Sequence, residues 1–188
     1  MGKPRQPVLD TDRLTLRPYR WSDMAAVHAY GKNPDISRHM KWGPNTQEMS
    51  RTFLRSCIDA ALDPDAKGYF YAIILRDCES LIGGCSLSYT NRSECEGMIG
   101  YAIDVPYWGH GYVTEAAQAL LHLGFVQLDM HRIRSWCTPE NTASWRVMEK
   151  IGMRREGHER EAALIKGEWR DWYQYAILDR EWRTAHDG

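Results

Sequence analysis

Gly109 and Gly111 stand two residues apart, after a strand-like run that ends near Asp104 and is broken by Pro106. A helix-like run begins just beyond them, near Thr114. Glycines at this spacing let the backbone approach a ligand closely and turn its N–H groups toward one point. The helix start behind them adds unpaired donors and the positive end of the macrodipole. Such an arrangement binds phosphate, but the same spacing also makes an ordinary tight turn, and the pattern alone leaves both readings open. Two better-known phosphate loops are excluded by residue type. No Gly-Lys-Ser/Thr closes the loop, as a nucleoside triphosphate needs, and no third glycine completes a dinucleotide fingerprint.

The other reactive side chains exclude more than they assign. The seven histidines show no His-Glu-x-x-His or other metal spacing, so no metal is expected, and His39, His122, His131 and His158 read as ordinary. Glu115 reads as a first-turn helix residue favoured by the dipole. The five cysteines (Cys57, Cys78, Cys85, Cys95, Cys137) are odd in number and form no Cys-x-x-Cys pair. They are expected to be reduced, small core residues of a cytoplasmic protein. A net charge of -1 argues against nucleic acid as a partner. No run of ~18 apolar residues offers a membrane span. No apolar run follows the opening MGKPRQP, so no signal peptide is expected, and Gln6 stands where a myristoylation signal needs Ser or Thr.

The elements that must position the glycine loop follow from periodicity. Leu14–Arg17 alternates as a strand, and Trp21–Tyr30 follows as a helix that Ser22 or Asp23 is placed to cap. A second helix is expected from Asn45 to about Leu62, capped by Asn45 with Glu48, its apolar stripe made of Met49, Phe53, Ile58 and Ala61. Tyr69–Leu75, Leu81–Tyr89 and Glu96–Asp104 then form an antiparallel meander. Thr114–Leu128 is a helix with Ala116, Ala117, Leu120, Leu121, Gly124 and Phe125 inward. Ile133–Cys137 is a strand, Ala143–Ile151 a helix stopped by Gly152, and Glu159–Ile165 and Trp169–Leu178 are closing strands. This is a mixed α/β chain of 188 residues, 43% hydrophobic and 26% charged, read as one domain. Most of its eight tryptophans are expected in the core.

At the glycine loop the chain resembles the GNAT superfamily of acyl-CoA N-acyltransferases, whose signature is Gln/Arg-x-x-Gly-x-Gly/Ala. The sequence here is Pro106-Tyr107-Trp108-Gly109-His110-Gly111, with Pro106 in place of Gln or Arg. Trp108 to Tyr112 followed by Thr114-Glu115-Ala116 is similar to the Rim-type branch, which acetylates N-termini of ribosomal proteins. Asn141-Thr142-Ala143-Ser144 leading to Glu149-Lys150-Ile151-Gly152-Met153 resembles the family's Asn-x-x-Ser…Glu-Lys-x-Gly-Phe. The tail, Arg160-Glu161…Gly167-Glu168-Trp169-Arg170-Asp171…Tyr175…Glu181-Trp182, and the start, Thr11-Asp12-Arg13-Leu14-Thr15-Leu16-Arg17, also match that branch. The resemblance covers about Thr11 to Trp182.

It implies a GNAT-type fold, a mostly antiparallel twisted sheet of about seven strands flanked by four helices. It implies direct attack of an amine on the thioester of acetyl-CoA. The cofactor-binding residues carried over are Ile103, Val105, Trp108, Gly109, His110, Gly111, Tyr112, Val113, Thr114, Asn141 and Ser144, with His110 acting mostly through its backbone. A backbone N–H near Ile103 to Val105 is expected to meet the acetyl oxygen. Many relatives protonate the leaving sulfur with a Tyr at the position of Met148, which cannot donate, so the role passes by resemblance to Ser144. The bland reading of Ser144 is a helix-start residue capping its own backbone. Asn141 is expected to hold cofactor or substrate through its amide. The Rim-type Glu falls near Ala163, leaving Glu159 and Glu161 as the nearest carboxylates for a base, both sent to one face by strand alternation. Glu161 is the expected base, and Glu159 and Trp42 the expected acceptor wall. The acceptor is expected to be a protein N-terminal α-amine. The rivals are a small amine such as an aminoglycoside, polyamine or amino acid, and a non-catalytic acetyl-CoA sensor; a homodimer is compatible with either.

Overall fold

The structure is a computed structural model and describes residues 6–186. The opening residues considered for a leader or a myristoyl signal, 1–5, lie outside it. The sheet has eight strands in the order β1-β2-β3-β4-β5-β6-β8-β7. These are β1 (Leu9–Asp10), β2 (Leu14–Pro18), β3 (Gly68–Leu75), β4 (Ser80–Asn91), β5 (Glu96–Ile103), β6 (Arg132–Cys137), β7 (Arg154–Ile165) and β8 (Glu168–Leu178). Neighbouring strands are antiparallel apart from β5 and β6. Among the described residues there are six α-helices: α1 (Met24–Gly31), α2 (Pro34–Ser37), α3 (Gln47–Leu62), α4 (Tyr112–His122), α5 (Thr142–Lys150) and α6 (Asp179–His186). The two-residue β1 and the short α2 and α6 raise the count above the expected seven strands and four helices. β1 and α2, of two and four residues, are too short to impress a period on the sequence.

Alternation along the strands builds a core on each face. On one face α4 lays Ala116, Ala117, Leu120 and Leu121 against Leu14, Leu16, Tyr71, Leu87, Ile99 and Ile133, all at 2% exposure or less. The helical run continues past α4 as a wider turn over 123–127 that buries Phe125. On the other face Tyr19, Val27, Tyr30, Leu54 and Cys57 cover Ala72 and Ile74.

Local details correct several expectations. Asp23 leaves the α1 backbone uncapped; its carboxylate accepts from both guanidinium nitrogens of Arg17 at 2.8 Å and from the Arg20 N–H. Thr46, one residue after Asn45, caps α3 by accepting from Met49 N–H. Starting the helix at Gln47 turns the buried stripe to Ser50, Leu54, Cys57 and Ala61, and leaves Met49 and Phe53 exposed. Cys78 and Cys95 lie exposed in strand-connecting turns, whereas Cys57, Cys85 and Cys137 are buried. Of the tryptophans only Trp182 is in the core; Trp21, Trp108 and Trp169 are exposed and the rest half-buried. No helix of the described residues is long and apolar enough to cross a membrane.

Candidate active site

The one parallel pairing in the sheet is short. β5 and β6 pair only through Glu96↔Arg132, Gly97↔Ile133 and Met98↔Arg134, then part. The Ser135 hydroxyl donates to the Ile99 carbonyl at 3.0 Å where they separate. Beyond that point β5 runs on to Ile103 with pairing on its β4 edge alone. Asp104 N–H donates across to the Ile82 carbonyl at 2.8 Å. Antiparallel alternation therefore turns the N–H groups of Tyr101 and Ile103 toward the open fork. The Val105 N–H is taken by the Asp104 carboxylate at 2.9 Å, and the Ile103 carbonyl accepts from Trp108 Nε1 at 2.9 Å. Of the Ile103–Val105 stretch, Ile103 thus holds the free donor.

The glycine loop closes the same end of β5. Gly109 and Gly111 have φ of +79° and +81°, left-handed values that an L side chain adopts at a cost. A Cβ on Gly109 would meet nothing within 4 Å, so the loop faces open space there. Gly111 is the residue before α4, whose first-turn N–H groups on Tyr112, Val113 and Thr114 have no carbonyl behind them. These groups fit an anion such as a pyrophosphate.

Arg13, which the sequence reading did not place in the site, braces this loop. Its guanidinium donates to the His110 carbonyl at 3.0 Å, pairs with Glu115 at 2.7 Å and lies 4.6 Å over the Tyr112 ring. Tyr112 stacks in turn on His110 at 5.7 Å. Glu115 also accepts from the Thr11 hydroxyl at 2.6 Å and the Arg13 N–H at 2.8 Å. Partial burial would raise the Glu115 carboxyl, but these bonds hold it below the ordinary value. Glu115 is therefore the tie between the β1–β2 turn and the start of α4. Arg13 already shares its charge with Glu115, so anion attraction at the loop comes chiefly from backbone N–H groups.

Three side chains meet where the fork opens. Tyr101 on β5 donates its hydroxyl to the Ser144 carbonyl at 3.0 Å and lies 3.2 Å from Ser144 Oγ. The Cys137 thiol ends β6 beside Ser144; burial pushes that thiol up to about 11, against a smaller lowering influence of Ser144. Burial raises the Tyr101 hydroxyl too, so both groups stay protonated near neutrality. The capping of α5 falls to Asn141, whose side-chain oxygen accepts from Ser144 N–H at 3.3 Å. The Ser144 hydroxyl is left for Tyr101. Met148 is 1% exposed and belongs to the core.

The β7–β8 hairpin departs from the expected regularity. Glu159 pairs with Trp172 and Ala163 with Arg170, so residues 160–162 stand opposite Asp171 alone. Asp171 accepts from the Glu161 N–H at 2.9 Å and from His158 Nε2 at 2.6 Å, and Glu161 sits at φ +50°. This bulge ends the alternation that would send Glu159 and Glu161 to one face. Glu159 instead accepts from Gln174 at 2.6 Å, and both glutamates are exposed. Trp42 packs half-buried against the Tyr19–Tyr30 cluster. The segment beside it reaches over the far strands: Lys166 Nζ donates to the Ser37 carbonyl at 2.7 Å, and Lys41 sits 4.7 Å over Trp172, which stacks on Trp136 at 5.0 Å. Among the described residues no group of three or more His, Cys, Asp or Glu is placed to hold a metal ion.

A family model described as an acetyltransferase (GNAT) domain matches residues 13–154. YnaD of Bacillus subtilis, named an uncharacterized N-acetyltransferase, is 36% identical over 174 residues, covering 93% of this chain and 98% of its own. The crystal structure of a GNAT-family acetyltransferase from Bacillus anthracis superposes with a TM-score of 0.83 at 36% identity, over 93% of this chain and 99% of that one. The ribosomal protein uS5-alanine N-acetyltransferase of Escherichia coli is 26% identical over 115 residues, 61% of this chain and 59% of its own length.

Proposed function

The chain belongs to the GNAT acetyltransferase family, and we propose that it moves an acetyl group from acetyl-CoA to the N-terminal α-amine of a protein by direct attack, as a single domain working in the cytoplasm. The observation that carries this reading is the parting of β5 from β6 between the glycine loop and Ser144. That fork supplies, at one end of the sheet, a place for a pyrophosphate and a place for a thioester.

Backbone N–H groups of Gly109 to Thr114 hold the pyrophosphate of the co-substrate. The Ile103 N–H, aimed into the fork, donates to the thioester oxygen as negative charge builds on it. The amine nitrogen attacks the carbonyl carbon and the carbon–sulfur bond breaks. Ser144, kept in place by Tyr101, gives a proton to the departing thiolate. Asn141 orders this corner by fixing the first turn of α5. Glu161 and Glu159 stand at the hairpin that borders the acceptor, and Trp42 backs the segment facing it.

An α-amine is the acceptor this chemistry favours. Its pKa of about 7.7–8.0 leaves a fair neutral fraction near pH 7.5, whereas a lysine-type amine near 10.4 needs a strong base. The relative named for uS5-alanine acetylation supports the same choice. The test is release of free CoA with three acceptors: a peptide bearing a free α-amine, its N-blocked lysine counterpart, and a polyamine. Turnover with the first supports the proposal. Preference for the polyamine replaces it with a small-amine acetyltransferase. Saturable acetyl-CoA binding without turnover on any acceptor makes the chain a sensor.

A further inference from the structure

His39 lies in the segment after α2, and its Nδ1 is 3.2 Å from Thr138 Oγ1. Thr138 is 2% exposed and directly follows Cys137, the last residue of β6. Its carbonyl accepts from the Asn141 N–H at 3.0 Å. Cys137 and Thr138 are successive residues at a strand end, so their side chains leave on opposite faces. Cys137 goes with the α5 face and meets Ser144. Thr138 goes with the face of Trp136, where Lys41 and Trp172 also lie. His39 and Ser144 therefore grip the end of β6 from its two sides.

We propose that His39 is the base that accepts the proton of the incoming amine, with Thr138 as its positioning residue. This rests on the acetyltransferase reading above. The role requires the tautomer in which Nδ1–H donates to Thr138 Oγ1, leaving Nε2 with the lone pair that takes the proton. The ammonium gives one proton to Nε2, its nitrogen attacks the thioester carbon, and sulfur leaves with the electron pair of the broken bond. The second N–H proton returns to sulfur by way of Ser144, and His39 releases its own to solvent. The products are an amide, a thiol and one proton. Proton removal and proton return thus occur on opposite faces of one strand end.

The surroundings suit a base that must be empty when the amine arrives. Burial, with Arg38 beside it, lowers the His39 pKa below the ordinary 6.5. The other charges facing it are Glu140 from the β6–α5 connection, Arg170 from β8 and Lys166 from the hairpin turn, cations outnumbering the carboxylate.

The test measures kcat and KM from pH 5.5 to 8 for wild type, His39→Gln and His39→Ala, with a peptide acceptor, alongside thermal melting. Wild-type kcat should fall as pH drops through a value below 6.5. His39→Gln should lower kcat about 100-fold, the range of general base catalysis, and abolish that acid limb, with KM for acetyl-CoA changed less than twofold. Added imidazole should restore part of the His39→Ala rate, which a merely structural histidine would not allow. A kcat within threefold of wild type, or an acid limb that survives in His39→Gln, overturns the proposal. A wild-type protein that turns over no amine overturns instead the acetyltransferase reading on which it stands.

Discussion

Replacing Gly109 by alanine separates a phosphate cradle from a tight turn, because the chain carries its own control. Gly167, at the tip of the β7–β8 hairpin, has φ +85° against +79° at Gly109, and an added Cβ meets nothing within 4 Å at either position. Both substitutions therefore cost only the left-handed backbone strain, about 1 kcal/mol, which lowers Tm by about 2–4 °C in a chain of this size. They differ in what stands before the loop. On the proposed reading the Gly109 methyl group enters the space of the pyrophosphate and weakens N–H bonds to an anion, each worth about 1.5–3 kcal/mol. At 1.4 kcal/mol per decade, one such bond is about 10- to 150-fold in affinity. Calorimetric titration with CoA should give a Kd at least ten times higher for Gly109→Ala than for Gly167→Ala, at matched Tm. Dissociation constants within twofold of each other would refute the cradle and leave Gly109-His110-Gly111 a turn.

Ser144→Ala should lower kcat far more than it raises KM for acetyl-CoA, since the hydroxyl is free of capping duty; unchanged turnover would remove Ser144 from the chemistry. Glu115 has a folded pKa below its unfolded value of about 4.3, so its stabilisation is present above that pH and lost as pH falls through the folded value. Urea unfolding should accordingly weaken more steeply below about pH 4.3 in wild type than in Glu115→Gln, and parallel curves would contradict this. Asp23→Ala strands the Arg17 guanidinium, only 16% exposed, without its bidentate partner. A loss of about 3 kcal/mol in unfolding free energy is expected, and less than 1 kcal/mol would mean that Arg17 finds water.

The parts of this site legible in the sequence are those set by local rules. Gly-x-Gly before a helix announces the left-handed backbone of the glycine loop, whereas the open space before Gly109 shows only in the fold. The inward residues of α4 follow the 3.6 period and are all buried. What stayed hidden depends on partners distant in the chain. Arg13 reads as one more charge just before a strand until Glu115, 102 residues on, takes its guanidinium. Tyr101 reads as an alternating strand residue until Ser144 comes within 3.2 Å. The β7 bulge is held by Asp171 on the facing strand, so nothing inside Glu159–Ile165 announces it. In α3 the expected stripe holds at Ala61 but not at Met49 and Phe53, whose places are taken by Ser50 and Leu54, and the cap is Thr46 where Asn45 is an equally good residue type, a choice only the fold makes.

The place of the site follows from the single parallel pairing. Parallel strands need a crossover, and here α4 supplies it between β5 and β6. A crossover helix starts at the carboxyl end of the strand before it, so the free N–H groups of α4 and the end of β5 lie together. Nothing in the meander before β5 has this property, since each hairpin returns without a helix start. Parallel pairing is also the less stable kind, and it ends after three residue pairs. The same connection that brings donors to the end of β5 thus leaves its edge open beside them. The sequence pattern placed the glycine loop after an antiparallel meander, which holds for β3 to β5. β5 is at once the last strand of that meander and the first of the parallel pair, and only the second role explains why its edge is open there. Restoring pairing at the fork is therefore a direct probe. Ser135 already bridges to the Ile99 carbonyl at 3.0 Å. A disulfide engineered across the next positions, Tyr101→Cys with the native Cys137, should close the fork, abolish acetyl transfer under oxidising conditions and restore it on reduction to the level of reduced Tyr101→Cys. Equal activity in both redox states, with the bond shown to form, would mean that the thioester lies elsewhere.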